Sequence, residues 1–139
     1  MKLKLTGGII ALVFVLFIIS CQSDESIEFK RYYSSGALVY QTHCQNCHGE
    51  KGEGLSALIP PLSDSVFLRK NKSALPCYIK NGLKGSIIIN GKTFDDAMPA
   101  NDLSPVEIAR VLTYIGNSFG NKLGTIDEQM TQADLRMCK

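Results

Sequence analysis

Two cysteines three positions apart, with a histidine directly after the second, constrain this chain more than any other feature. They are Cys44-Gln45-Asn46-Cys47-His48. Two intervening residues bring both sulfurs to one side of a turn, and the imidazole that follows is carried beneath whatever the sulfurs hold. A zinc tetrathiolate would need Cys77 and Cys138 as its second pair, and these are far apart rather than clustered. A thioredoxin-like redox pair needs a strand before it and a long helix after it, whereas Gly49, Gly52 and Gly54 follow here.

The pentapeptide is instead the attachment pattern of a c-type haem. Two thiols add to the two vinyl groups of a porphyrin, and His48 becomes the proximal ligand of its iron. The second axial ligand is expected at Met98, which stands before Pro99 in a short loop ahead of a capped helix. Met130 and Met137 compete for that place, but both lie in the tail near Cys138. A Met–His pair suits electron transfer, and the thioether raises the reduction potential. With both axial positions filled the iron has no open place for a substrate. The reading is therefore a carrier that works with redox proteins as donor and acceptor, and not an enzyme.

The N-terminus points to export. Lys2 and Lys4 precede eleven unbroken apolar residues, Ile9–Ile19, and polarity changes abruptly after Cys21. A basic start, a short apolar run and a small residue describe a secretory signal over residues 1–20. A spanning helix needs about 20 apolar residues, more than this run supplies, which makes an uncleaved anchor the lesser reading; both place the rest of the chain outside the cytoplasm. The stretch Leu16-Phe17-Ile18-Ile19-Ser20-Cys21 resembles a bacterial lipoprotein processing site. That implies a lipid on Cys21 and a position on the periplasmic side of a membrane. Without Lys2 and Lys4 the basic side chains fall to the number of acidic ones, 13. Such a balance argues against nucleic acid as a partner.

Of the five cysteines, Cys21 is then assigned to lipid and Cys44 and Cys47 to the haem. An oxidising compartment would let Cys77 and Cys138 form a disulfide. A closed loop of about 60 residues contributes roughly 4 kcal/mol in the chain-entropy account.

Residues 21–33 read as a polar, lipidated tether, and residues 34–139 as one domain. Ser34-Ser35 favour a helix start near residue 35, running to about 45. Asp64–Leu68 suits a short helical turn. Residues 73–81 read as a helix with Pro76 in its first turn and Gly82 just past its end. Asn90-Gly91 between apolar residues signals a tight hairpin. Ser104-Pro105-Val106-Glu107 is a capping box that opens a helix over about 105–117. A last helix is expected around 131–138. His43 reads as a surface side chain, and Arg69, Lys70 and Lys72 as a solvated basic face.

Over roughly residues 34–120 the chain resembles a class I cytochrome c domain. The likeness rests on Gly36 and Tyr40, the pentapeptide, Pro60-Pro61, Asn90-Gly91-Lys92, Met98-Pro99 and Tyr114-Ile115. It implies an all-α cytochrome c fold enclosing one covalent haem, with a short hairpin before the Met ligand. It also implies that Gly36 and Tyr40 pack against Tyr114 where the first and last family helices cross. Pro60 or Pro61 would accept a hydrogen bond from His48. The extension 121–139 lies outside the likeness. A second reading makes the chain a haem subunit of a larger membrane-associated dehydrogenase or oxidase complex.

Overall fold

Gly36 sets the closest approach of two helices. A β-carbon there would stand 2.0 Å from the carbonyl oxygen of Arg110 and 2.9 Å from the β-carbon of Tyr114. The computed structural model describes residues 23–138. The expected signal peptide 1–20, Cys21 and Lys139 lie outside the described residues. The chain falls into two compact units, divided between Arg31 and Tyr32. Of the first unit only 23–31 is described, and it is helical.

Helix α1 covers Ser23–His43, so it begins well before Ser34-Ser35. The two serines lie inside the helix and do not cap it. The Ser35 hydroxyl donates back to the Tyr32 carbonyl at 3.3 Å, which satisfies it without ending the helix. Tyr32 is buried, and the Tyr33 hydroxyl meets that of Ser118 at 3.0 Å. These contacts make residues 32 and 33 part of the domain rather than of a polar lead-in.

Helix α2, Gln45–His48, follows directly after Cys44. Asp64 caps α3, Ser65–Lys70, accepting the N–H groups of Val66 and Phe67 at 3.0 Å each. Arg69 and Lys70 are exposed on the last turn of α3, where cations suit the helix dipole. Helix α4, Leu75–Asn81, carries Pro76 in its first turn, and Gly82 ends it at φ +75°. Strands β1, Ile87–Ile89, and β2, Lys92–Phe94, pair antiparallel through Asn90-Gly91, both at positive φ. Their side chains alternate: Ile89 and Phe94 are buried while Ile88 is exposed.

Helix α5, Pro105–Ile115, opens as the capping box requires, with the Glu107 carboxylate accepting the Ser104 N–H at 2.9 Å. It supplies Ile108, Val111, Leu112 and Ile115 to a core shared with Tyr40, Leu68, Leu75, Ile79, Leu103 and Ile126. The tail folds back on α5. The Thr113 hydroxyl donates to the Ile126 carbonyl at 3.0 Å and accepts the Ile126 N–H at 2.9 Å. Helix α6, Glu128–Leu135, starts at the Asp127 cap, a few residues earlier than the pattern predicts. Cys77 on α4 and Cys138 after α6 form a disulfide, which removes the second pair that a zinc tetrathiolate would use. Among the described residues no helix is long and apolar enough to cross a membrane.

The architecture is thus mostly helical with one small hairpin, compatible with the expected cytochrome c fold. Where α1 and α5 cross, Tyr40 and Tyr114 pack with ring centroids 5.3 Å apart and their planes tilted by 46°. Tyr33 and Phe119 extend this cluster, at 5.2 Å from Tyr114 and 5.5 Å from Tyr40 respectively. Neither is evident from the pentapeptide or the capped helix.

Candidate functional site

A cleft of about 210 Å³ opens between α2, α4, α5 and the hairpin. Leu68, Leu75, Ile79, Phe94, Leu112 and Ile115 are among the apolar residues of its walls. Cys44, Cys47, His48 and Met98 all line it, so the four expected site residues meet at one place. An apolar cleft with a few polar groups in fixed positions suits a flat organic cofactor.

The end of α1 and the short α2 carry three of the four. The N–H groups of Cys44 and His48 donate to the carbonyls of Tyr40 and Cys44, each at 2.9 Å, so the pentapeptide stays helical in character. The Tyr40 hydroxyl donates to the Gly49 carbonyl at 2.6 Å, fastening the far side of the turn. Burial, with Cys47 adding to it, pushes the Cys44 thiol up to about 11. A redox-active thiol of the thioredoxin kind needs the opposite shift. Cys44 and Cys47 are separate thiols, the first half-buried and the second exposed.

His48 is held neutral and oriented. Burial lowers its pKa, and a hydrogen bond from the ring to the Pro60 carbonyl opposes that shift. The Nδ1–carbonyl distance is 3.1 Å, so Pro60 and not Pro61 takes the role left open by the sequence. This bond fixes the tautomer, presents Nε2 as the donor atom and makes the ring a stronger donor. Gly54 lets the loop pass closely enough: at φ +70°, its β-carbon would stand 2.2 Å from the Ile59 carbonyl oxygen.

Met98 arrives from the loop between β2 and α5. Its N–H donates to the Leu83 carbonyl at 2.9 Å, and its carbonyl accepts the Leu83 N–H at 3.0 Å. Gly82 makes room for that bridge, since a β-carbon there would stand 2.5 Å from the Met98 carbonyl oxygen. Asn101 donates its N–H to the Ile79 carbonyl at 3.0 Å, closing the loop on α4. Met130 and Met137 are exposed and do not line the cleft.

His43 is exposed, at the rim of the cleft, and its charge helps to keep the Glu107 carboxyl low, after the larger effect of the Ser104 bonds. Asp64 also lines the cleft, and its second carboxylate oxygen accepts the Asn90 N–H at 2.9 Å. Sequence reasoning places Asp64 only at the head of a helical turn. Its grip on the hairpin spans 26 residues and leaves no local pattern.

Two thiols, an imidazole and a thioether lining one apolar cleft are the groups that haem c calls for: two to bond its vinyl carbons and two to ligate its iron. Among the described residues no group of three or more His, Cys, Asp or Glu side chains is arranged to hold a metal ion.

Residues 32–115 match the family described as cytochrome c oxidase, cbb3-type, subunit III. The chain is 31% identical over 93 residues to cytochrome c-552 of Thermus thermophilus, covering 63% of this chain and 70% of that one. A second cytochrome c-552 of that organism is covered to 62%. The chain is also 35% identical over 97 residues to the cytochrome c subunit of a quinone-dependent alcohol dehydrogenase from Gluconacetobacter polyoxogenes. That match covers 66% of this chain but only 20% of the subunit.

Proposed function

The chain belongs to the c-type cytochrome family, and on that footing we propose that it is a single-haem carrier of electrons between redox proteins. Haem c, when bound, supplies a one-electron couple. Cys44 and Cys47 would hold it through two thioether links, and His48 and Met98 would supply the ligands to its iron. The Pro60 carbonyl orients the imidazole, and the apolar walls would keep water from the metal. The observation that carries this reading is the convergence of Cys44, Cys47, His48 and Met98 on one cleft. A visible spectrum of the oxidised and reduced protein tests it. The pigment is expected to stay with the polypeptide in acid and acetone, and its loss into the solvent would refute the covalent attachment.

The place of work follows from the N-terminus. Residues 1–20 act as a lipoprotein signal, Cys21 carries lipid, and residues 22 to about 31 connect the anchor to the domain on the periplasmic side. Mass spectrometry of the mature N-terminus tests this: an acylated Cys21 is expected, and a free Met1 would refute it.

A second reading is supported by the likeness to the dehydrogenase subunit. There the chain is one haem component of a larger complex. Purification from membranes decides between them, because a carrier elutes alone and a subunit brings its partners along.

A further inference from the structure

His48 is aimed by a backbone carbonyl, and that carbonyl lies in a loop without regular structure. The loop is held two residues beyond Pro60. Leu62 donates its N–H to the Gly52 carbonyl at 2.8 Å, and its own carbonyl accepts Nδ2 of Asn121 at 2.8 Å. The same Nδ2 donates to the carbonyl of Ile115, the last residue of α5, at 3.0 Å. One carboxamide therefore joins the loop that orients His48 to the end of the helix that lines the cleft.

Asn121 is 3% exposed and lies beyond residue 115, where the family match ends. Both of its partners are carbonyls, so the amide nitrogen and not the oxygen must face them. Its Oδ1 has no hydrogen-bond partner among the described residues. A leucine of similar size would avoid that orphan oxygen, so burial alone gives no reason for asparagine here. The two carbonyls that need a donor do.

We propose that Asn121 is a positioning residue for His48, holding the loop so that the Pro60 carbonyl keeps its bond from Nδ1. This rests on the haem reading above. Without Asn121 the Leu62 carbonyl is released, the loop shifts, and the imidazole becomes a weaker donor to the metal.

The test compares Asn121→Leu with the parent protein, both carrying haem. Exchange of the His48 Nδ1 proton, followed by NMR in the reduced state, is expected to quicken about five- to tenfold, the opening that loss of one ordinary hydrogen bond allows. The reduction potential is expected to move to more positive values, because a poorer imidazole donor favours the lower iron charge. Asn117→Ala is the matched control. It removes bonds to the Thr113 and Gly124 carbonyls at 2.7 and 2.8 Å and loosens the same tail without touching Leu62. It should lower the denaturation midpoint and leave exchange and potential unchanged.

Equal behaviour of the two variants, or an unchanged Nδ1 exchange rate in Asn121→Leu, would overturn the proposal. Should the leucine variant fail to accumulate, Asn121→Ser keeps one donor on a shorter arm. It should shift both readouts in the same direction by less, and no shift would overturn the proposal equally. A colourless parent protein would sink the haem reading itself, a result seen before any variant is compared.

Discussion

The carboxylate of Asp64 accepts the backbone N–H of Asn90 at 2.9 Å with one oxygen and caps α3 with the other. One side chain thus ties the hairpin, with its buried Ile89 and Phe94, to the helix across the cleft's edge. The bonds from Phe67 and Asn90 hold the Asp64 carboxyl below the usual carboxylate range, against a small opposing effect of burial.

A depressed carboxyl contributes stability that is present above its unfolded value, near 3.9, and is lost as pH falls through the lower folded value. Asp64→Asn keeps an acceptor for the cap but turns a donor toward Asn90. It is expected to cost about 1 kcal/mol and to flatten the acid limb of the stability curve below about pH 4. Asp64→Ala should cost about 1–2 kcal/mol, because the cap goes too. Urea unfolding across a pH series checks both, and an acid limb in Asp64→Asn identical to that of the parent would contradict the account.

Gly36→Val should be among the most damaging single changes. The added atoms would meet the Arg110 backbone, which cannot swing aside as the end of a side chain can. A loss of about 1–3 kcal/mol is expected from overpacking, with α1 and α5 forced apart. Thermal unfolding measures it, and a midpoint unchanged from the parent would mean that the helices have room to spare.

For the haem-loaded protein, Met98→Leu should lower the reduction potential and open the sixth position to carbon monoxide in the reduced state. Met130→Leu and Met137→Leu should do neither. Carbon monoxide binding by the parent that matches that of Met98→Leu would remove Met98 from the ligand set.

Joining Cys77 to Cys138 closes a loop of 61 residues in sequence separation. Replacing both by serine should cost up to about 4 kcal/mol and loosen α6 first. The pigment should stay attached, since Cys44 and Cys47 take no part in that bridge. Denaturation with and without reductant reads the cost, while the spectrum reports the pigment.

Much of the site was legible because its parts are local. The pentapeptide carries its whole pattern in five residues. Pro76 with Gly82, Asn90-Gly91 and the Ser104–Glu107 box each mark an element through geometry that a few neighbours decide. Met98 was reachable because it sits between two such marked elements. The choice of Pro60 over Pro61 was not, since it depends on which carbonyl turns toward a ring 12 residues away. The grip of Asp64 on Asn90, the space that Gly82 leaves for Met98 and the reach of Asn121 to Leu62 are likewise tertiary contacts. The early start of α1 was hidden by two serines that read as a boundary and instead bond within the helix.

The bridge between Leu83 and Met98 bears on speed as well as on place. A residue fastened at both its N–H and its carbonyl gives its own sulfur a short leash. In the proposed role, the ligand would hardly travel when the iron gains or gives up an electron. A carrier whose atoms barely rearrange loses little energy to that rearrangement, so it can run in either direction under a small driving force.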